Sequence, residues 1–158
     1  MKITLSIIPT PQARPRFCNR PGTSFTKAYK GGAQQQAEWS IESLLSQHRP
    51  GSPLEGPVSL GVRAFLPIPR SWSKKKKAEA QSGILCHTSK PDLDNLIKQI
   101  KDCLTRMNFW RDDRQVMQYL PGTGKYYDDG RGPRWEIEIR AGSEKKTWPG
   151  VRQLPAML

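Results

Sequence analysis

The feature that most restricts the fold of this chain is an unbroken apolar stripe along one segment, residues 93–107. Its members lie three, four, seven, eleven and fourteen residues after the first: Leu93, Leu96, Ile97, Ile100, Leu104 and Met107. Because an α-helix turns once in 3.6 residues, this spacing puts all of these side chains on one helical face. A helix of this kind must bury that face against a second layer of structure.

Strand-like segments elsewhere in the chain supply the second layer. Apolar and polar residues alternate with a period of two near the N-terminus, where Ile3, Leu5 and Ile7 are separated by Thr4 and Ser6. That period is typical of a half-buried strand. The predicted strands cover residues 3–8, 58–64, 115–120 and 135–139.

Two more helices complete the pattern. One is predicted from about Ala33 to a stop at Pro50, and the other begins at Lys74, after N-cap candidates in Ser71–Ser73, and stops at Gly83. The element order β-α-β-α-α-β-β predicts an α+β fold: a single compact domain over residues 1–140, with a mixed β-sheet and flanking helices.

The remaining segments are predicted to be irregular. Residues 9–32 are rich in Pro, Gly and basic side chains, which favours an extended basic loop, and a turn-rich segment joins the last two strands. Residues 141–158 show no usable period and are expected to form a loose C-terminal tail with an exposed Trp148. Trp39, Trp110 and Trp135 lie in patterned segments, so we expect all three in the core.

The distribution of charge indicates the kind of partner. The formal net charge of +12 and the pI near 10.0 favour binding to a polyanion such as nucleic acid. Residues 91–140 nevertheless carry nine basic and nine acidic side chains, and every Asp of the chain lies between Asp92 and Asp129. Carboxylates gathered within a basic protein are typical of a site that holds a divalent cation against phosphate.

Cysteine and histidine usage excludes other site types. Three cysteines form no C-x-x-C pair, and only two histidines are present, which argues against a tetrahedral zinc site. The odd cysteine count fits a reducing cytoplasm, and we expect no membrane segment and no small-molecule cofactor. Cys86 and His87 are adjacent, a spacing that rarely lets two side chains act on one atom.

The first acidic motif is Asp92-Leu93-Asp94. Pro91 disfavours a helical backbone at Lys90, so the long helix is expected to begin after Pro91. With Asp92 in an extended entry and Asp94 in the first helical turn, both carboxylates could face one point. Taken alone, the motif is better explained by acidic residues stabilising a helix N-terminus, with Lys98 as an i, i+4 partner of Asp94.

The second acidic motif, Asp112-Asp113, precedes the predicted strand 115–120. Adjacent residues at a strand start face opposite sides, so one of the two is expected to join a shared site. Three carboxylates suit magnesium, a hard cation that takes oxygen ligands and is shared with substrate phosphate. Lys98, one turn from Asp94, would add positive charge beside that phosphate.

These residues together resemble a known family. Its pattern, D-x-D-N-x-x-K followed by D-x-L and D-D-x-Q-V, is matched from Asp92 through Lys98, at Asp102 and Leu104, and from Asp112 through Val116. The chain thus resembles the RusA family of Holliday junction resolvases, in particular members carried by phages and prophages. A weaker resemblance covers most of residues 3–140.

The resemblance implies a homodimer that cuts four-way (Holliday) DNA junctions in DNA recombination and repair, with Mg²⁺ as cofactor and Mn²⁺ as its substitute. Carried onto this chain, it implies Asp92, Asp94 and Asp113 as metal ligands and Lys98 as a catalytic lysine. The role of Asp112 stays open. A protein that binds branched DNA without cutting it, or a magnesium nuclease acting on other DNA structures, is the alternative.

Basic residues outside the motif are candidate DNA contacts. They are Arg14, Arg16, Lys74, Lys75, Lys76, Lys77 and Lys90. A lysine run such as 74–77 is ordinarily the solvated face of a helix, but beside a nuclease motif we favour contact with phosphate. The segment Gly122–Lys125 lacks the first Gly and the final Ser or Thr of a phosphate-binding loop and is not interpreted as one.

Overall fold

A computed structural model of the chain describes residues 1–13, 16–19, 26–29 and 31–142, and for 16–19 and 26–29 it describes the backbone alone. The strands are β1 (Lys2–Leu5), β2 (Arg16–Asn19), β3 (Thr26–Tyr29), β4 (Val58–Leu66), β5 (Val116–Tyr119), β6 (Gly124–Tyr127) and β7 (Arg134–Ala141). The helices are α1 (Gly32–Ser46), α2 (Lys74–Gln81) and α3 (Leu93–Arg106), with a short 3-10 helix at Asp113–Gln115.

A mixed five-stranded sheet forms the centre of the fold, as the sequence predicted. Strand β4 pairs antiparallel with β7 along one edge, and β7 pairs antiparallel with β1. Along its other edge, β4 pairs in parallel with β5 over Val58–Leu60 and then with β6 over Arg63–Leu66. Strands β5 and β6 thus occupy successive halves of one edge, which brings the end of β5 beside the middle of β4.

Helix α3 covers the sheet with the predicted apolar stripe. Leu96, Ile100 and Leu104 are fully buried and belong to one core cluster with Ile41 and Leu45 of α1. The stripe therefore fixes which face of α3 points away from the core, and the polar side chains of the motif lie on that other face.

Polar contacts also hold α3 in place. Gln34 on α1 is buried and donates hydrogen bonds to Glu38 and to the Oε1 of Gln99 on α3, at 2.9 and 2.6 Å. The N-terminal segment adds a backbone hydrogen bond from Gln12 to the carbonyl of Asn95. Because buried polar groups are costly to leave unpaired, these contacts fix the position of α3 as well as its burial.

Two expectations about irregular segments were wrong. The segment 9–32, expected to be a loop, contains the antiparallel hairpin β2–β3, and the turn-rich segment after residue 120 contains β6. In β6 the sequence Gly-Lys-Tyr-Tyr has no two-residue alternation, so its strand structure depends on pairing with β4. The tail prediction for 141–158 falls beyond residue 142, outside the described part of the chain.

The three tryptophans that were predicted to lie in the core differ in their burial. Trp110 and Trp135 are fully buried, as expected, but Trp39 is 74 % exposed. The buried positions of α1 are Gln34, Glu38, Ile41 and Leu45, and position 39 lies on the opposite side of that helix.

Among the described residues, no helix is both long and apolar enough to cross a membrane.

Candidate functional site

The start of α3 presents two aspartates, as the sequence predicted. Asp92 is the N-cap residue and has an extended backbone, with φ −72° and ψ 140°, while Asp94 lies in the first helical turn. The Asp92 side chain makes no capping hydrogen bond. Because Asp92 is also exposed, its carboxylate stands open to solvent at the helix N-terminus without capping it.

A cavity of about 300 Å³ brings the two acidic motifs together. It is lined by Asp94, Ile97, Lys98, Lys101, Asp113 and Tyr119, and we call it the Asp94–Asp113 cavity. Three of the four predicted catalytic residues, Asp94, Lys98 and Asp113, thus share one cavity although up to 19 positions of sequence separate them. The fourth, Asp92, does not line this cavity but a separate one, with Lys90, Pro91, Asn95 and Gln12 among its other residues.

The donor set of the Asp94–Asp113 cavity suits a hard cation. Magnesium is usually bound through one or two carboxylates together with substrate phosphate, and this cavity offers two carboxylates. Within the described residues, no three His, Cys, Asp or Glu side chains gather closely enough to hold a metal ion by themselves. The residues present therefore fit an ion that is completed by substrate rather than enclosed by protein.

Lys101 is a member of this cavity that the sequence analysis missed. Its Nζ lies 3.1 Å from Oδ2 of Asp113, and its side chain is 19 % exposed. The helical spacing could have identified it, because residues 94, 98 and 101 follow the i, i+4, i+7 pattern of one face. The cavity therefore contains two lysines and two aspartates.

Asp112, whose role the sequence left open, is engaged in local structure. Its carboxylate accepts a hydrogen bond from the backbone N–H of Arg114 at 2.8 Å and pairs with the Arg114 guanidinium at 2.9 Å. These hydrogen bonds hold the pKa of the Asp112 carboxyl below its ordinary value. Asp112 thus caps the 3-10 helix that carries Asp113, and it does not line the Asp94–Asp113 cavity.

Gln115 fastens the segment 111–115, which we call the acidic loop, to the rest of the molecule. Its Nε2 donates to the carbonyls of Leu54 and Gly56, both at 2.9 Å. Its Oε1 accepts from the backbone N–H groups of Arg111 and Asp112, at 2.8 and 3.1 Å. All four contacts are to backbone, so the glutamine of the D-D-x-Q-V motif fixes the loop on either side of Asp113.

Replacing Gln115 by Glu is expected to destabilise the protein, because a carboxylate would face two carbonyl oxygens that have lost their donor. Leaving such part-buried groups unpaired costs about 1–3 kcal/mol of unfolding free energy. The matched control is Gln118→Glu on β5, since the Ser59 hydroxyl that accepts from Gln118 can turn and donate instead. Urea unfolding of both variants measures the difference; equal losses would contradict the role given to Gln115.

Lys125 holds the segment that precedes α3. Its Nζ donates to the carbonyl of Pro91 at 2.8 Å and to that of Ser89. Residues 122–125 were not predicted to bind phosphate, and Lys125 instead connects β6 to the segment that leads into α3. Lys125 has no signal in local sequence, because the carbonyls it binds lie more than 30 positions away. Gln115 belongs to the D-D-x-Q-V motif, but the motif does not reveal the two carbonyls to which it donates, which lie 61 and 59 positions away.

The adjacent Cys86 and His87 do not form a reactive pair. Cys86 is exposed, whereas His87 is buried with its ring 4.4 Å from that of Tyr127. Burial, and then the positive charge of Lys125, lower the pKa of His87. His87 therefore packs against Tyr127 of β6.

The predicted DNA contacts differ in their surroundings. Lys74, Lys75, Lys76 and Lys90 are exposed, and Lys76 lies 3.9 Å from the centre of the Trp72 ring. Lys77 is half-buried and donates to the carbonyl of Arg70 at 2.8 Å. Arg14 and the side chain of Arg16 lie outside the described residues. The exposed lysines of α2 stay candidates for contact with phosphate.

Comparison with known proteins agrees with these features. A family model of the RusA endodeoxyribonucleases matches residues 6–140. The chain is 36 % identical over 142 residues to YqaN of Bacillus subtilis (strain 168), an uncharacterised protein, covering 89 % of this chain and 95 % of YqaN. It is 33 % identical over 103 residues to the crossover junction endodeoxyribonuclease rusA of Lactococcus phage r1t, covering 64 % and 69 % of the two chains.

Proposed function

The chain belongs to the RusA family of endodeoxyribonucleases, and we propose that it resolves four-way DNA junctions by magnesium-dependent hydrolysis of phosphodiester bonds. The observation that carries the proposal is the Asp94–Asp113 cavity, which joins one carboxylate and two lysines of α3 to the carboxylate of Asp113 on the 3-10 helix. The phage relative named a crossover junction endodeoxyribonuclease supports the junction as substrate.

Each residue of the site has a proposed role. Asp94 and Asp113 would hold the ion, and Asp92, the exposed N-cap residue of α3, would turn its carboxylate toward the bound ion as a further ligand. When bound, magnesium supplies Lewis-acid activation of water and neutralises charge on the reacting phosphate. Lys98, on the same helical face as Asp94, places an ammonium group beside that phosphate and stabilises its developing charge. Tyr119, about half exposed at the cavity, offers a ring face to the neighbouring nucleoside.

The rest of the surface suits binding to branched DNA. The exposed lysines of α2 and Lys90 would contact phosphates away from the cut, where they add affinity but no sequence preference. Resolution of a four-way junction requires two paired nicks, and two sites related by the two-fold axis of a homodimer would provide them. We assign the protein to DNA recombination and repair on this basis, with Mn²⁺ able to replace Mg²⁺.

The test is cleavage of a labelled synthetic four-way junction, with a flap and a linear duplex of the same sequence alongside. We expect paired nicks on the junction in Mg²⁺ or Mn²⁺, none in EDTA, and little cutting of the duplex. A protein that shifts the junction on a gel but never cuts it in either metal is a binding protein, and the proposal fails. Equal cutting of flap, duplex and junction would retain the nuclease but reject the junction as its substrate.

A further inference from the structure

Lys101 forms an ion pair with Asp113, the carboxylate that we propose as a ligand of the divalent cation. The two charged groups are 3.1 Å apart, and the Asp113 side chain is 47 % exposed. A second lysine, Lys98, lines the same cavity without an ion pair to either aspartate within 4.0 Å. The two lysines therefore have different immediate surroundings.

The Lys101–Asp113 pair is suited to exchange. It rests on a single contact, and although the Lys101 side chain is only 19 % exposed, the Asp113 carboxylate is 47 % exposed, so water screens the pair from the carboxylate side. Arg134 makes a useful contrast, because its side chain is 5 % exposed and is held by hydrogen bonds to Asp129 and Glu136. Arg134 is thus held by several acceptors, whereas the ammonium group of Lys101 has one carboxylate partner and stands at the end of a side chain with four rotatable bonds.

We propose that Lys101 is an exchangeable counter-cation of the site, an inference that rests on the proposed function. In the absence of a divalent cation, Lys101 neutralises Asp113 and keeps the two carboxylates of the cavity from repelling each other. When Asp113 serves as a ligand, Lys101 releases it and moves its ammonium to a phosphate of the bound DNA. Lys101 then competes with the cation for Asp113 but strengthens binding of the substrate.

This dual role predicts two effects of opposite sign in Lys101→Met. Removing the competing charge should tighten binding of Mn²⁺ by the DNA-free protein roughly tenfold, the scale on which a neighbouring charge acts on a carboxylate. Losing one phosphate contact should weaken junction binding and reduce the slope of log K against log salt by about 1. A lysine that serves the fold alone would change neither quantity in this way.

Calorimetric titration with Mn²⁺, and junction binding in Ca²⁺ across a salt series, test the inference on wild type and three variants. Lys101→Arg retains the charge and can bind Asp113 through two donors, so it should bind Mn²⁺ more weakly than wild type while keeping the salt slope. Lys2→Met, an exposed residue of β1, makes the same change in net charge and should alter neither measurement.

The outcomes separate this inference from the proposed function. If Lys101→Met binds Mn²⁺ no more tightly than wild type, or keeps the full salt slope, the exchange role is wrong while metal-dependent cutting by wild type still stands. If wild type binds no Mn²⁺ and cuts no junction, the proposed function fails and this inference fails with it. Tighter Mn²⁺ binding together with a smaller salt slope, in this variant and not in Lys2→Met, supports it.

Discussion

Replacing Asp113 by Asn is expected to slow junction cleavage about a thousandfold, the equivalent of a loss of roughly 4 kcal/mol of transition-state stabilisation. The substitution keeps the shape of the side chain and removes its negative charge. Asp113 is one of the two carboxylates in the Asp94–Asp113 cavity, so its loss halves the anionic donors there. Asp94→Asn should have an effect of the same order for the same reason.

Asp113→Asn should reduce cleavage activity while leaving the protein folded. Asp113 is partly exposed, and its ion pair with Lys101 is of the kind that contributes about 0–1 kcal/mol to stability. The 3-10 helix that carries it is capped by Asp112 and fastened by Gln115, and neither contact involves the Asp113 carboxylate. The unfolding free energy should therefore stay within about 1 kcal/mol of wild type.

Asp112→Asn is the matched control, since it makes the same chemical change at the adjacent position. Asparagine is as good a cap as aspartate, so the loop should be retained and cleavage should remain close to wild type. Single-turnover rates with enzyme in excess, in saturating Mg²⁺, give the comparison free of product release. Comparable losses in Asp112→Asn and Asp113→Asn would show that the two aspartates have been assigned the wrong roles.

The local parts of the site could be predicted from the sequence because their causes are local. Pro91 fixes where α3 can begin, and the apolar stripe fixes which face of the helix is buried. Together they place Asp94 and Lys98 on the outer side. The family pattern added what periodicity could not, namely that an aspartate near residue 113 belongs to the same site.

The contacts that complete the site depend on the sheet. Gln115 reaches Leu54, and Lys125 reaches Pro91, only because β5 and β6 pair in parallel with the two halves of β4. No single-sequence pattern specifies that register. The error over Trp39 has a related origin: residue type suggested burial, but the orientation of α1 is set by its packing on α3 and β1.

The second large effect is expected from Trp110→Ala, which should lower the unfolding free energy by about 3–5 kcal/mol. Trp110 is fully buried, and its Nε1 donates to the Thr105 hydroxyl at 2.7 Å. Its backbone also forms a bridge with Leu54, two residues before Asp112, so loss of the side chain would loosen the anchor of the segment that carries Asp112 and Asp113. For a domain of this size the melting temperature should fall by about 6–20 °C.

Trp39→Ala provides the control for this prediction, because it removes the same side chain from a position that is 74 % exposed. Its effect on stability should be within about 0.5 kcal/mol, and alanine is a better helix former than tryptophan. Thermal and urea unfolding of the two variants distinguish burial from residue type as the cause. A large loss in Trp39→Ala with a small one in Trp110→Ala would mean that the packing of α1 and of the acidic loop described here is wrong. In Trp110→Ala, by contrast, the loss of stability should be accompanied by weaker Mn²⁺ binding, because the segment that carries Asp113 would be displaced.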